Sequence, residues 1–296
     1  MESQTNSIAS THLGKKSAGS ENYDSSLLVA IPRIENRKQY NIDNNDLPFE
    51  GYDIWHAYEF SSMSENGVPV TRLLKIKYNC NSEFLIESKS LKLYLNSFNM
   101  SRFGKTTTEC LKICQKLIEK DLSEKLQTEV YAKFLNNKTT KTQIFKDFDN
   151  IMNYVDEKIL KIENFKEAPE VLEVLQTNHM ERHYLTFDSL RSNCRVTHQP
   201  DFGDVFIYYK SKKHIIEESL VKYLVSFRSE FHFHEECCEM IYKRLNDILD
   251  GDVLFVCCLY TRRGGIDICP VRSNCQVKDA ELLIDLNKLA RNGVKQ

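Results

Sequence analysis

The alternation of apolar and polar positions divides the chain into two stretches that follow the same order of elements. From Tyr52 to Met63, Ile54, Tyr58 and Phe60 stand among strand-favouring residues. Gly67 and Pro69 mark a turn, and Leu74, Ile76 and Tyr78 alternate along a returning strand, Val70 to Tyr78. Phe84 to Ile86 leads into Ser88 to Phe98, where Leu91, Tyr94, Leu95 and Phe98 recur at helical spacing. The pattern predicts a second helix from Thr106 to Leu122 and a strand over Glu129 to Phe134. The later stretch repeats this order. Strands are expected over Tyr184 to Arg191 and Val205 to Tyr209, and helices over Glu217 to Phe227 and Glu235 to Leu249. A hairpin of Val253 to Tyr260 with Gly265 to Cys269 follows, closed by Arg262-Arg263-Gly264-Gly265.

The repetition reaches individual residues. Ser90 to Phe98 (SLKLYLNSF) and Ser219 to Phe227 (SLVKYLVSF) share six identities in nine positions. With the shared element order, this reads as a duplication of one unit, an antiparallel sheet covered by a helix pair, and hence an α+β fold. The predicted organisation is an irregular N-terminal arm over 1–50, a first unit over 51–140, a connecting segment over 141–177 and a second unit over 178–296. Within the arm, Leu27 to Ile31 is the piece expected to dock on the body.

Composition narrows the class. An apolar content of 41% is too high for a disordered chain, and 40 basic against 42 acidic residues is not the balance of a dedicated nucleic-acid binder. Met1 to Ser26 lacks the apolar core of a secretory signal, and Val253 to Tyr260 is too short to span a bilayer. The expectation is a soluble cytoplasmic protein with no membrane or nucleic-acid partner. In that compartment the ten cysteines stay reduced. None forms a C-x-x-C pair, so most are expected to be small buried hydrophobes.

Three clusters carry candidate chemistry, each with a plainer alternative. In Ser192-Asn-Cys194-Arg-Val-Thr-His-Gln-Pro-Asp201-Phe-Gly203, a thiol and a carboxyl group lie near one turn. They are either a nucleophile with a proton donor or an inert core thiol beside a turn-capping Asp, and composition alone favours the second. In Phe231-His-Phe-His234-Glu235-Glu-Cys-Cys238, histidines and thiols suggest zinc. A helix start there points Cys237 and Cys238 apart, and an N-terminal Glu is favoured by the helix dipole in any case. In Glu87-Ser-Lys89-Ser-Leu-Lys92, a helix N-terminus with Ser88, Lys89 and Lys92 suits a phosphate, or is simply a solvated basic end. Arg262 and Arg263 read likewise as a surface turn or a phosphate clamp.

Together these motifs resemble one family, the NADPH-dependent 7-cyano-7-deazaguanine reductases, the nitrile reductases of queuosine biosynthesis. The resemblance rests on Ile86-Glu-Ser-Lys-Ser-Leu-Lys-Leu-Tyr-Leu-Asn-Ser-Phe98, Ser192 to Asp201, Phe233-His-Glu235 and Tyr260-Thr-Arg-Arg-Gly-Gly-Ile-Asp267. Asp46-Leu-Pro-Phe49, Asp53-Ile-Trp55 and Pro270-Val-Arg-Ser-Asn274 match more weakly. It implies tandem tunnelling-fold (T-fold) units, a homodimer, NADPH as cofactor and no metal. It also implies Cys194 as the nucleophile that forms a thioimide with the nitrile, and Asp201 as general acid. Ile86, Glu87, Ser88, His234 and Glu235 would contact the deazapurine; Ser88, Lys89, Arg263 and Gly264 would contact NADPH. The product would be 7-aminomethyl-7-deazaguanine.

The chain departs from the family pattern after Asp201, where it has Phe202-Gly203-Asp204 in place of Trp-Gly-Ser. Phe202 is expected to keep an aromatic wall beside Asp201, and an inward-pointing Asp204 would raise the Asp201 pKa. Cys269-Pro270-Val271 replaces a common Asn-Pro-Trp. The alternatives are a zinc-dependent hydrolase of the same fold, like the GTP cyclohydrolases, and a non-catalytic purine-binding module.

Overall fold

Period-2 patterning places its apolar residues on a single large sheet. The computed structural model describes residues 22–136, 138–249 and 252–292, so the first 21 residues of the predicted arm lie outside the described residues. Its strands are β1 (Ala30–Pro32), β2 (Glu50–Met63), β3 (Pro69–Asn79), β4 (Phe84–Ile86), β5 (Val130–Leu135) and β6 (Lys141–Gln143). The second half adds β7 (Asp149–Asn150), β8 (Val174–Asn193), β9 (Pro200–Ile215), β10 (Val253–Tyr260), β11 (Ile266–Ser273) and β12 (Leu289–Arg291). The α-helices are α1 (Ile34–Gln39), α2 (Ser88–Asn96), α3 (Thr107–Leu126), α4 (Glu217–Ser226), α5 (His234–Leu249) and α6 (Lys278–Ile284).

Eight strands form one sheet in the order β5-β3-β2-β11-β10-β9-β8-β7. The predicted units are therefore not separate. β2 of the first half pairs antiparallel with β11 of the second, from Ala57 opposite Ile266 to Glu50 opposite Ser273. One face carries α2 and α3 over Trp55, Ile76 and Ala132, and α4 and α5 over Val205, Ile207 and Val256. The other face is closed by Phe145 and Phe148, by α6 through Ala280 and Leu283, and by the β6–β12 pair. The result is α+β, with the two helix pairs on one face of a largely antiparallel sheet and the short α6 on the other. Among the described residues, no helix is long and apolar enough to cross a membrane.

The repeated nonapeptide makes the same contacts twice. Ser90 Oγ donates to Glu87 O and Ser219 Oγ to Ile216 O, both at 2.7 Å. Ser97 Oγ and Ser226 Oγ donate to Tyr94 O and Tyr223 O, both at 2.6 Å. Tyr94 meets Phe98 edge to face at 5.3 Å, as Tyr223 meets Phe227 at 5.5 Å. Each serine pair also binds a strap. Asp24 N and Val29 N donate to Ser97 and Ser90, and Ala168 N and Glu173 N donate to Ser226 and Ser219. The arm and the connecting segment, read from sequence as irregular pieces outside the units, thus occupy equivalent places. Backbone N–H groups hold them beside a few apolar anchors, Leu28 in the arm and Val171 and Leu172 in the connecting segment, too few to set up a periodic pattern.

Beyond the strap, the arm adds β1, paired with β4, and the short α1. Leu28 and Ile31 are buried, as expected for the docking piece. Arg33 and Arg37 follow them inside. Arg37 grips Glu239 with two N–H···O bonds of 2.9 and 2.7 Å, Arg272 adds a second guanidinium at 3.0 Å, and Arg33, which pairs with Asp53, stands 3.6 Å away as the third. Although burial opposes its charge, the three arginines hold the Glu239 carboxyl well below the ordinary 4.5, at about 2.

Glu239→Gln leaves three buried guanidiniums short of a counter-charge, so stability should fall by about 3–5 kcal/mol. A depressed carboxyl pKa contributes stability above pH 4.5 that is lost as pH falls toward 2. Urea unfolding should accordingly show the wild type losing stability between pH 5 and 3 more steeply than the variant; parallel pH curves would contradict the assignment.

Candidate active site

A cleft opens where the first half meets the second. Trp55, Ile86, Ser88 and Lys89 line it from the first half, and Cys194, Asp201, His234 and Glu235 from the second. β2–β11 pairing brings these edges together, because it sets Trp55 opposite Ile268, which also faces the cleft. Residues more than a hundred positions apart thus share one pocket.

Cys194 sits in the tight connection between β8 and β9. Its N–H donates to Gln199 O at 2.8 Å and its carbonyl accepts from His198 N at 2.9 Å. His198 takes a left-handed φ of 56°, which closes the turn. Pro200, Asp201 and Gly203, read from sequence as turn formers, instead belong to β9. Arg195 anchors the loop to the start of α5, where its guanidinium lies 3.0 Å from Glu236. Eight cysteines are buried, and only Cys194 and Cys275 are partly exposed. Burial raises the Cys275 thiol. That leaves Cys194 as the partly exposed thiol that faces the cleft.

Asp201 is held from two sides. Arg263 Nη1 donates to its Oδ1 at 2.6 Å, and His234 Nε2 lies 3.3 Å from its Oδ2. Burial opposes its charge, but these two partners more than offset it and lower its pKa below the ordinary range. The expectation that Asp204 raises it is therefore not met. Asp201 and Asp204 are three positions apart on one strand and point to opposite faces, Asp201 toward α5 and Asp204 toward the face that carries Phe206. Phe202 also turns away and is largely exposed, so it forms no wall beside Asp201. His234 instead stacks flat on Tyr260, 3.8 Å between ring centroids.

Glu235 opens α5. Phe233 caps this helix, its N–H accepted by Glu236 Oε2 at 2.9 Å in a capping-box arrangement. Glu235 is buried, and its Oε1 has no hydrogen-bond partner. Burial, aided by the nearby Asp53, raises its pKa from 4.5 to about 8, against the pull of Arg33 and Arg272. A buried acceptor left unpaired is costly unless a ligand supplies the donor. His232, the other candidate zinc ligand, is instead taken up by Glu230 and Glu236 at 3.1 and 3.4 Å.

Not every predicted residue faces the cleft. Glu87 caps α2, and its two oxygens accept the N–H groups of Lys89 and Ser90 at 3.0 and 2.6 Å. The amides expected to bind phosphate are thus already used, and anion attraction at this end falls to the side chains of Lys89, Lys92 and Arg263. Gly264 lies just outside, in a left-handed turn at φ 59°, where a Cβ would come within 3.0 Å of Lys92 Nζ. These three cations at one rim fit the phosphates of a dinucleotide. The residue-level reading passed over Trp55, Phe233, Ile266 and Ile268 as cleft walls. Trp55 was legible as an apolar position of β2, but the strand that faces it was not.

Two family models match the chain: "Nitrile reductase, 7-cyano-7-deazaguanine-reductase N-term" over residues 20–134 and "QueF-like protein" over 200–279. Among curated proteins named NADPH-dependent 7-cyano-7-deazaguanine reductase, that of Rickettsia bellii is 39% identical over 267 residues, covering 90% of this chain and 93% of the relative. The Legionella pneumophila protein is 38% identical over 264 residues (89% of each), and the Colwellia psychrerythraea protein 36% over 266 (88% and 91%). With matches of this extent, and a cleft built where the two matched segments meet, the chain belongs to the family of NADPH-dependent 7-cyano-7-deazaguanine reductases.

Proposed function

We propose that this protein reduces the nitrile of 7-cyano-7-deazaguanine to the primary amine of 7-aminomethyl-7-deazaguanine, using NADPH, in the tRNA-modification route to queuosine. The observation that carries this reading is the shared cleft, in which Cys194 and Asp201 stand beside a buried carboxyl group, Glu235, that lacks a donor. A guanine-like edge offers a ring N–H and an amino N–H, which one carboxylate accepts together. Ile86, Ser88 and His234 line the rest of the base site, and Glu87 acts through the α2 turn it caps.

The first chemical step is addition of Cys194 sulfur to the nitrile carbon, giving a thioimide. The low pKa of Asp201 means that it begins as a carboxylate. It takes the thiol proton as the S–C bond forms and passes it to the nitrile nitrogen, so it becomes the acid by way of Cys194. Two NADPH molecules, each of which would be held in turn by Ser88, Lys89 and Arg263 with Gly264 shaping the turn, would each supply one hydride: the first would turn the thioimide into a hemithioaminal, which releases the Cys194 thiolate to leave an imine, and the second would reduce that imine to the amine. The apolar walls of Trp55, Ile266 and Ile268 keep water from the imine. The fold is a tandem of two T-fold units, each with its own strap, and the enzyme works as a cytoplasmic homodimer on a free base, without nucleic acid, membrane or catalytic metal. The zinc hydrolase reading is less favoured because His234 and His232 are already engaged by carboxylates. The non-catalytic reading is less favoured because both Cys194 and Asp201 face the cleft.

Mixing the protein with 7-cyano-7-deazaguanine in the absence of NADPH should increase its intact mass by that of the whole substrate, and Cys194→Ala should show no increase. A wild type with neither adduct nor NADPH consumption would sink the mechanism. Replacing Lys89 or Arg263 by Ala should raise the KM for NADPH more than that for NADH; equal effects would remove these residues from the 2′-phosphate. Because Glu235 is protonated in the empty cleft below about pH 8 and must ionise to accept two donors, substrate binding should release a proton. Affinity should then rise up to ~10-fold per unit between pH 6 and 8 and level off above, a dependence absent in Glu235→Gln. Calorimetry in buffers of different ionisation enthalpy checks the proton count.

A further inference from the structure

The duplicated architecture creates a second position equivalent to the cleft edge at α2, and its residues have changed. Glu217 opens α4 as Ser88 opens α2. Tyr209 OH accepts Ile215 N at 3.2 Å, as Tyr78 OH accepts Ile86 N at 3.5 Å. Across the ladder, His183 stands opposite Tyr209 where Asp53 stands opposite Tyr78. In the first half this corner is covered by β11, which carries on the sheet beyond β2. In the second half β8 is flanked only by the two-residue β7, paired at Leu185 and Thr186, so the corner lies at an open sheet edge.

Three donor side chains converge at this edge, and Glu217 stands beside one of them, His214. The ligand atoms of Glu181, His183 and His214 all lie within 4.8 Å of one another. Glu181 Oε2 is 3.5 Å from His183 Nε2, and Glu217 Oε2 is 3.3 Å from His214 Nε2. A tetrahedral ion with ~2.0–2.1 Å bonds to nitrogen and oxygen sets its ligand atoms ~3.4 Å apart, so these pairs already stand at ligand spacing. His183 is fixed by stacking on Tyr209, 4.5 Å between centroids, and its Nε2 is buried without a hydrogen-bond partner.

We infer that Glu181, His183, His214 and Glu217 bind one divalent transition-metal ion of the zinc class. Two imidazoles with carboxylates suit zinc, cobalt or nickel, whereas magnesium and calcium prefer all-oxygen sets. His214 lies 13 positions from Asp201 along β9, roughly 40 Å of strand, so the ion takes no part in nitrile reduction. It ties β8, β9 and the start of α4 where the β8–β9 ladder resumes after the register shift between Gln176 and Glu181.

The test uses the full chain, freed of metal with a chelator. Zinc is titrated against a chromogenic competitor, and cobalt is followed by its visible absorption, which is intense for tetrahedral coordination. One equivalent of zinc should bind and raise the melting temperature. His183→Ala and His214→Gln should each weaken binding by at least ~10-fold while keeping wild-type NADPH oxidation and metal-free melting temperature. Glu217→Gln, at a more forgiving position, should also weaken it, which keeps the test decisive if a histidine variant folds poorly. Cys194→Ala should bind zinc as the wild type does. No saturable binding in the wild type, equal binding in the histidine and glutamine variants, or loss of binding in Cys194→Ala would each overturn the site.

Discussion

The interaction on which most else depends is the pairing of Glu239 with three buried guanidiniums. Arg37 comes from the arm, Arg272 from β11, and Arg33 joins through Asp53 of β2. Glu239 itself belongs to α5, one helical turn after Glu235. A single carboxylate therefore fixes the arm, the junction between the halves and the helix that presents Glu235 to the cleft. The same cluster explains why two acids one turn apart differ so sharply. Glu239 is surrounded by positive charge and stays ionised, whereas Glu235 meets burial and Asp53 and is pushed up.

That contrast organises the site. A protonated Glu235 costs less to bury in the empty cleft than a bare carboxylate would, and it becomes an anion only when donors arrive. Asp201 is tuned in the opposite direction by Arg263 and His234. Two carboxyl groups lining one pocket are thus shifted in opposite directions, Asp201 down and Glu235 up. Both settings depend on residues brought from distant parts of the chain.

Much of the fold was legible in the sequence because it follows periodicity. The two hairpins, the paired helices and the repeated SLxxYLxSF segment sit where the pattern puts them, α2 at Ser88–Asn96 and α4 at Glu217–Ser226. Of the straps only the Leu27 to Ile31 piece was legible; their equivalence was not, since they attach through backbone N–H groups to Ser90, Ser97, Ser219 and Ser226 without an apolar rhythm. Whether the backbone at the start of α2 is free for an anion was not legible either, because the Glu87 side chain already takes the amides of Lys89 and Ser90. Phe202 was misplaced because it was read by analogy with the family's Trp, whereas strand alternation turns it to the opposite face from Asp201.

The sequence by itself determined most element types, the repeated nonapeptide and the family, because each is written in local spacing or in contiguous motifs such as Ser192 to Asp201. It also singled out Cys194 among ten thiols, though only through resemblance. Tertiary structure decided the rest. Which cysteine meets the cleft, which carboxyl is held ionised and which helix end is already capped all depend on partners more than a few residues away. Burial and long-range charge pairing set those outcomes, and neither has a period that a sequence can display.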